Sequence, residues 1–424
     1  MSGAGSRLAP ITLRARWIVP VGMPAIENGW VRIERGRFAA IGRWAGLSAP
    51  ASAAILDLGD SILLPGLVNA HTHLEFSDLP RPLDARGGLP GWIRAVVALR
   101  RGRPVEKAAE ARLVDSLRAG LIESLSHGIT TVGDIATAVP CGGYPSVGPR
   151  LRVYREALGL SFAGSVLPAK VSRDLDRLKD TAGISPHAPY TVSAALGKAL
   201  LGEARRRDLP VTMHLAESAE ELEYVTSGSG AFRDLLASLG AWPRDRPAPV
   251  IPPSEWISRL ARCRRGSVVH GTFLGETPDT SAINRLSRHR NRLALVVCPR
   301  TTRLLSGRLP PLERFVAAGI RVALGTDSRA SNPDLSVLAE ARELVGAGVV
   351  RPWEAILMAT RNAAWALGYE HRAGAIAVGR PADLVVLAPS GTFRDPCDAI
   401  LRPETRVRAT LCRGKVLHGS LASG

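Results

Sequence analysis

The segment from Pro65 to His73, with the sequence PGLVNAHTH, decides the fold more than any other part of the chain. Its first residues form a short apolar run, which is typical of a strand buried on both faces. The run ends in two histidines two positions apart, and side chains at that spacing in a strand point to the same side of the sheet. A buried strand ending in two convergent imidazoles predicts a polar site at the carboxyl edge of a sheet.

Seven further β-like apolar runs follow this segment, and stretches compatible with helices, such as SAALGKALLGEARRRD (193–208), lie between them. The alternation of strands and helices predicts an α/β protein with a parallel sheet. Eight such units favour a closed TIM-type (β/α)8 barrel over an open, doubly wound sheet. In barrels of this type the chemistry takes place at the C-terminal ends of the strands. The seven runs are residues 129–135, 151–159, 181–187, 210–216, 266–273, 292–299 and 320–327.

The two ends of the chain differ from the middle in their pattern of apolar residues. Residues 11–64 and 382–419 contain short runs with alternating apolar positions and turn glycines, as in GRPADLVVL and VRATLCRGKVLHG. Such alternation is typical of half-buried antiparallel strands. We therefore expect a small composite β-sandwich domain from residues 1–64 and 375–424, and the barrel from residues 65–374.

Composition limits the classes of function. The 424 residues are 46% hydrophobic and carry a formal net charge of +17, which invites a nucleic-acid hypothesis. Only five of the 55 basic residues are Lys, the Arg residues are scattered, and aromatic residues make up only 5% of the chain, so no basic stripe with interleaved aromatics appears. No signal peptide or membrane span is apparent, and five widely spaced Cys without a C-x-x-C pair suggest reduced thiols. We expect a cytoplasmic protein with a small-molecule substrate and with neither nucleic acid nor membrane as partner.

Polar residues fall at the predicted barrel-strand ends, as the fold demands. Besides His71 and His73, these are His187, His214, His270 and Asp327, so five of the nine histidines lie on one rim. Any one of these histidines alone is as readily a structural residue. Three His and one Asp together suit Zn²⁺ or Fe²⁺ with a position left for water, whose pKa the ion would lower.

Glu217 follows His214 by three residues in the sequence HLAE. At that distance beyond a strand-end ligand it can enter the same mouth and act as a general acid and base. The alternative is a solvated glutamate at the start of a helix, because EELE follows directly at residues 220–223.

Six motifs in order carry a resemblance to a known family: LLPGLVNAHTH, SPHAPYTVS, MHLAES, VVHGTFL, CPRTT and GTDSRASNPDLSVLAE. They resemble the cytosine-, adenosine- and S-adenosylhomocysteine-type deaminases of the amidohydrolase superfamily over essentially the whole chain. The resemblance implies one metal ion per subunit, held by His71, His73, His214 and Asp327. It also implies that His270 contacts the hydrolytic water, that Glu217 protonates a ring nitrogen, and that Asp327 takes the proton of the attacking water.

Within that branch, HTHLEFS, LPGWIRAVVALRR (89–101) and the insertion at residues 227–242 look like the aminodeoxyfutalosine deaminases of menaquinone biosynthesis. That substrate carries an adenine, to be deaminated by metal-bound hydroxide, and a benzoate-type carboxylate. An arginine suits the carboxylate because a guanidinium can pair with it in bidentate geometry. Arg329, Arg300 and Arg94 are the candidates, and a surface charge is the alternative for each.

Three further residues are expected at the substrate, each with a structural alternative. His187 resembles the family's substrate-binding histidine on the fourth strand. Glu75 either accepts hydrogen bonds from ribose hydroxyls or pairs with a nearby arginine. Trp92 either stacks on the base or packs in an apolar helix.

Other functions remain open from the sequence. The scaffold fixes metal-assisted hydrolysis but not the leaving group. Deamination of S-adenosylhomocysteine, methylthioadenosine or guanine, or a chlorohydrolase reaction, therefore stays an alternative. A non-catalytic scaffold or a basic nucleic-acid-binding protein is the alternative from a different class. The resemblance also implies a homodimer or a higher homo-oligomer.

Overall fold

The computed structural model describes residues 9–47, 54–103, 106–162, 164, 167–242, 250–276 and 279–422. Sixteen strands are found in these ranges. They are β1 (Ile11–Ile18), β2 (Ile26–Glu34), β3 (Arg37–Arg43), β4 (Ala54–Asp57), β5 (Ile62–Pro65), β6 (Leu67–Thr72), β7 (Ile129–Ala136), β8 (Arg150–Ala157), β9 (Ala182–Pro186), β10 (Val211–Leu215), β11 (Gly266–His270), β12 (Leu293–Val297), β13 (Val322–Leu324), β14 (Leu384–Ala388), β15 (Arg406–Cys412) and β16 (Lys415–Gly419).

Fourteen α-helices accompany the strands in the same ranges. They are α1 (Gly88–Arg101), α2 (Glu106–Ser126), α3 (Ala169–Leu178), α4 (Ala194–Arg206), α5 (Ala219–Ser227), α6 (Ala231–Ser238), α7 (Pro253–Leu260), α8 (Ala282–Arg288), α9 (Pro299–Ser306), α10 (Leu312–Ala317), α11 (Val337–Gly346), α12 (Pro352–Leu357), α13 (Ala363–Ala366) and α14 (Pro396–Ile400). None of the described helices combines the length and the apolar character that crossing a membrane requires.

Strands β6 to β13 form the predicted barrel. They pair in chain order, each parallel to the next. The last strand returns to the first, because the backbone N–H groups of Thr326 and Asp327 both donate to the carbonyl of His71, at 3.0 and 3.1 Å. Each of the eight apolar runs identified in the sequence overlaps one of these strands, so the predicted fold class is confirmed.

The terminal strands form a second sheet, which confirms the expectation that both ends of the chain build one β unit. Its order is β16-β15-β14-β5-β1-β2-β3, with β4 paired to β1. Leu13, Val31, Phe38, Leu384 and Leu411 pack together in its own apolar core and are almost completely buried. The N-terminal strand β5 pairs antiparallel with the C-terminal strand β14, so the sheet joins the two ends of the chain.

Serine caps begin several of the helices that follow barrel strands. Ser193 accepts a hydrogen bond from the N–H of Leu196 at the start of α4, and Ser218 accepts one from Glu221 at the start of α5. Such caps satisfy backbone donors that have no partner inside the helix. Helix α5 therefore begins at Ala219, two residues after Glu217, and this start fixes where the chain leaves the rim of the barrel.

Candidate active site

Six polar side chains named in the sequence meet at one end of the barrel. His71 lies in β6 and His73 follows it, His214 lies in β10, His270 ends β11, and Glu217 and Asp327 lie two and three residues beyond their strands. They are buried or nearly so. Parallel strands in a barrel place their carboxyl ends on one rim, which is why residues far apart in sequence meet here.

The imidazoles of His71, His73 and His214 form the centre of this site. Their ligand nitrogens all lie within 4.8 Å of one another. Oδ1 of Asp327 lies 3.6 Å from Nε2 of His73 and 4.0 Å from Nε2 of His71. The three imidazoles can therefore hold one ion, and a carboxylate oxygen of Asp327 lies beside two of them.

Glu217 faces this centre from the side of strands β10 and β11. Its Oε1 lies 3.4 Å from Nε2 of His270, and one ligand atom each from Glu217, His270 and Asp327 lie within 4.8 Å of one another. A carboxyl group and an imidazole therefore stand next to the point that the three histidines surround.

The backbone at these strand ends adopts a conformation that side chains rarely take. The φ angles are +51° at Ala216, +65° at His270 and +57° at Asp327. Left-handed geometry at residues other than glycine costs free energy and persists where the surroundings fix it. At Ala216 the fixing group is the buried carboxylate of Glu221, which accepts hydrogen bonds from the N–H groups of Ala216 and Glu217 at 2.9 and 2.8 Å.

Burial keeps the imidazoles neutral. It lowers the pKa of His214 to about 4, and burial together with neighbouring histidines holds the pKa of His71 and His73 well below the usual value. Nδ1 of His214 donates to the carbonyl of His187 at 3.0 Å, which leaves Nε2 with a free lone pair. A neutral imidazole whose other nitrogen is held by a carbonyl is the form that binds metals.

The fit of the site to a metal ion can be tested on its hydrogen bonding. Both ring nitrogens of His71 and Nδ1 of His73 are buried and have no hydrogen-bond partner among the described residues. Buried polar atoms are nearly always paired, and each exception needs an explanation. A divalent ion of borderline softness would bind one nitrogen of each ring, because imidazole nitrogen and carboxylate oxygen are ligands that it accepts. The residues present fit the expected metal.

The same burial has the opposite effect on the carboxyl groups. It raises the pKa of Glu217 well above its usual value, and the neighbouring carboxyls of Asp327 and Glu221 add to the increase. Burial therefore favours the protonated form of the Glu217 carboxyl. A buried acid beside a metal-ligating cluster is suited to donate a proton there.

A cavity of about 450 Å³ opens above the cluster. His187 and Trp92, expected at the substrate, both line it. Nδ1 of His187 lies 2.6 Å from the hydroxyl oxygen of Thr191, and the indole N–H of Trp92 donates to the carbonyl of Ala330. Much of the remaining wall is apolar and comes from α1, α6 and the segment after β8: Leu89, Ile93, Val96, Val97, Leu158, Leu160, Phe162, Leu235, Leu236 and Leu239.

Glu75 takes the second of its two expected roles. Its Oε1 accepts hydrogen bonds from Arg100 at 2.8 Å and from Thr137 at 3.1 Å, and it is absent from the described lining of the cavity. The carboxylate is engaged by an arginine, which is the alternative that the sequence offered to a ribose contact.

The three arginines considered for a substrate carboxylate also lie elsewhere. The guanidinium of Arg329 donates to the backbone carbonyls of Leu79, Pro80 and Pro333. Arg300 forms a two-bond ion pair with Asp334. Neither these two nor Arg94 is among the described residues that line the cavity.

Arg100 is the arginine that does line the cavity, and sequence reasoning missed it. The signal was present in the helix LPGWIRAVVALRR, where Leu89, Trp92, Val96 and Arg100 recur at helical spacing. Residues three and four apart share one face of a helix. Because the first three line the cavity, the fourth does too.

Two buried acids near the ends of neighbouring strands were given no role from the sequence. Asp134, two residues before the end of β7, accepts a hydrogen bond from the N–H of Leu74, the residue after His73, and another from the hydroxyl of Tyr144. Glu156, near the end of β8, lines the cavity. Both follow the rule that placed the histidines, since polar residues at the ends of barrel strands lie on the rim.

A (β/α)8 barrel with neutral imidazoles and carboxyl groups converging at the carboxyl ends of its strands defines the chain as a metal-dependent hydrolase. The chain belongs to the amidohydrolase family, whose sequence profile matches residues 62–418.

Three similar proteins carry more specific names. The chain is 28% identical over 344 residues to an adenosine deaminase of Helicobacter pylori, covering 79% of this chain and 80% of that one. It is 28% identical over 401 residues to a 5-methylthioadenosine/S-adenosylhomocysteine deaminase of Moorella thermoacetica, covering 90% and 86%. The crystal structure of Helicobacter pylori aminofutalosine deaminase with methylthio-coformycin matches with a TM-score of 0.79 at 25% identity, covering 96% and 99%. All three are deaminases by name.

Proposed function

We propose that the protein is a metal-dependent deaminase of a 6-aminopurine nucleoside, with aminodeoxyfutalosine of menaquinone biosynthesis as the substrate. The observation that carries the chemistry is the cluster of His71, His73, His214 and Asp327 beside the buried carboxyl of Glu217. The reaction adds water to the ring carbon that bears the amino group and releases ammonia.

His71, His73, His214 and Asp327 would hold the ion, and zinc, with Fe²⁺ as the alternative, suits three imidazoles and one carboxylate. When bound, the ion lowers the pKa of a coordinated water and so supplies a nucleophile at neutral pH. The walls of the cavity keep the ring in place and limit access of bulk water to it.

The proton transfers fall to two carboxyl groups and one imidazole of this chain. Glu217 gives its proton to the ring nitrogen next to the carbon under attack, which makes that carbon more electrophilic. Asp327 accepts a proton from the attacking water and passes it to the amino group, which leaves as ammonia. His270, 3.4 Å from Glu217, contacts the same water and stabilises the charge that develops on its oxygen.

Two features of the cavity favour aminodeoxyfutalosine. The wall away from the metal cluster is largely apolar, as an aromatic ring of the substrate requires. Arg100 is the one cationic side chain in the described lining, and Glu75 holds one of its nitrogens at 2.8 Å. We propose that Arg100 pairs with the substrate carboxylate, the role for which Arg329 was first considered. The similarity to the aminofutalosine deaminase of Helicobacter pylori supports the same choice.

Methylthioadenosine is the second candidate. The same apolar wall suits a methylthio group, and the relative from Moorella thermoacetica is named for deamination of this nucleoside. The two candidates differ in charge, because only aminodeoxyfutalosine carries a carboxylate on its aromatic end.

An ammonia-release assay on the zinc-loaded protein tests the proposal. The panel is aminodeoxyfutalosine, methylthioadenosine, adenosine, S-adenosylhomocysteine and guanine. We expect the largest kcat/KM for aminodeoxyfutalosine and no turnover by Glu217→Gln, whose amide has no acidic proton to give. Preference for methylthioadenosine would keep the chemistry and replace the substrate. Silence across the panel with metal bound would refute the purine assignment.

The Arg100→Met variant tests the carboxylate contact separately. We expect its kcat/KM for aminodeoxyfutalosine to fall about 100-fold, because a charged hydrogen-bonded pair is lost. Methylthioadenosine, which has no carboxylate, is expected to lose far less. Equal losses on the two substrates would show that Arg100 acts through the structure of the cavity instead.

A further inference from the structure

Glu156 is a buried carboxyl group of the cavity to which the reaction above gives no role. It lies one residue before the end of β8, its side chain lines the cavity, and the residue is 3% exposed. Its Oε1 has no hydrogen-bond partner among the described residues. Burying a carboxyl without a partner costs free energy, so an unpaired one facing a cavity indicates a ligand that supplies the missing hydrogen bond.

The position of Glu156 limits which part of a bound ligand it can contact. One carboxyl oxygen of Glu156 and one ring nitrogen each of His187 and His214 lie within 4.8 Å of one another. Arg100, 37% exposed, lines the same cavity towards the mouth. Glu156 therefore adjoins the reacting centre, in a cavity that continues to Arg100. A nucleoside with its base at the centre carries its sugar between these two points.

The other carboxyl groups near the cavity already have roles, so Glu156 is the one that remains free to bind the sugar. The described lining contains three carboxyl groups, those of Glu156, Glu217 and Asp327. The last two belong to the proton transfers and the metal cluster, and Glu75 is held by Arg100 and Thr137.

We propose that Glu156 is a substrate-binding residue that hydrogen-bonds the neighbouring hydroxyl groups of the nucleoside sugar. The inference rests on the proposed function, because it requires a nucleoside. A carboxyl group presents two oxygens side by side, and two adjacent hydroxyls offer the complementary pair of donors and acceptors. The ionised group accepts from both hydroxyls. The protonated group accepts from one and donates to the other, so either form can bind the pair. Burial raises the pKa of Glu156 to about 8, which favours the protonated form in the free enzyme.

The experiment compares adenosine with 2′,3′-dideoxyadenosine on the zinc-loaded wild type, Glu156→Met and Glu156→Gln. Methionine keeps the length of the side chain without its hydrogen bonds, and glutamine keeps one acceptor and one donor. We expect Glu156→Met to lose about 10- to 100-fold in kcat/KM on adenosine and Glu156→Gln to lose clearly less. On the dideoxy compound both variants should lie within about threefold of the wild type, because the two changes remove the same interaction.

Three outcomes would count against the proposal. If the wild type has the same kcat/KM for adenosine and for its dideoxy analogue, no residue recognises the sugar hydroxyls. If Glu156→Met loses the same factor on both compounds, or if Glu156→Gln is no better than Glu156→Met on adenosine, the residue acts on the structure or the base. In each of these cases the deaminase assignment stands. If the wild type releases ammonia from no nucleoside, the proposed function fails and the role of Glu156 fails with it.

Discussion

The carboxylate of Glu221 accepts a hydrogen bond from the backbone N–H of Glu217 at 2.8 Å, and its other oxygen accepts one from Ala216 at 2.9 Å. Glu221 is completely buried, and Ala216 has a φ of +51°. A single side chain from α5 therefore holds the chain between His214 and Glu217 in a strained turn. This turn aims the Glu217 carboxyl at the metal cluster.

Replacing Glu221 by glutamine should lower activity without removing the metal. The amide oxygen of glutamine can accept only one of the two backbone hydrogen bonds. Its NH₂ group is a donor and cannot bind the second backbone N–H, so Glu217 loses its fixed position. Misplacement of a reacting group by about 1 Å costs about 100-fold in rate, and we expect a loss of about 10- to 100-fold in kcat. Glu223→Gln, at an exposed position of the same helix, is the matched control. Wild-type kcat in Glu221→Gln would show that the turn holds without the carboxylate.

Glu221 also predicts a pH dependence of stability. Burial raises its pKa to about 7, although the two backbone hydrogen bonds work in the opposite direction. Between the usual glutamate pKa and about 7 the folded state binds a proton that the unfolded chain has released, so this group makes folding less favourable as the pH rises. The Gln variant cannot titrate. We expect the free energy of unfolding of the wild type, relative to Glu221→Gln, to decrease from about pH 5 to about pH 8, by at most about 1.4 kcal/mol per pH unit. Urea unfolding of both proteins measures it, and a constant difference would contradict the shifted pKa.

Asp134 is expected to support the metal site without touching the metal. It holds the N–H of Leu74 at 2.8 Å and so fixes the chain directly after His73. Loss of such support around a ligand typically weakens metal affinity about 10- to 100-fold, and we expect this for Asp134→Ala. Competition with a coloured chelator measures the affinity. Tyr144→Phe removes only the second hydrogen bond to Asp134 and should have the smaller effect. An unchanged metal affinity in Asp134→Ala would show that Asp134 does not support the metal site.

Gly325 shows how tightly the barrel closes behind the site. A Cβ atom at this position would lie 2.8 Å from the Cβ atom and the carbonyl oxygen of His71. We expect Gly325→Ala to destabilise the protein by about 1–3 kcal/mol and to displace His71, because overpacking moves the backbone. Gly202→Ala in α4 meets no atom within 4 Å and should stabilise the helix by about 0.5–1 kcal/mol. The thermal unfolding midpoints and the metal content of the two variants test this prediction. Equal midpoints would show that a Cβ atom at position 325 is tolerated.

The sequence by itself determined the barrel and the cluster at its rim. Eight apolar runs separated by helical stretches allow few folds, and parallel strands in a closed barrel must bring their carboxyl ends together. Once His71, His73, His214, His270 and Asp327 fall at strand ends, their meeting follows from the topology. The spacing of two between His71 and His73 then sends both rings to the same side.

The tertiary structure decided which loop and helix residues face the substrate. Arg329 and Glu75 stand next to metal ligands in the sequence, yet local hydrogen bonds to backbone carbonyls and to Arg100 direct their side chains elsewhere. Arg100 and Glu156 reach the cavity because α1 folds over the rim and β8 ends beneath it. Strand ends obey a geometric rule that sequence alone can apply. The direction of a charged side chain in a loop depends on partners that only the folded chain brings within reach.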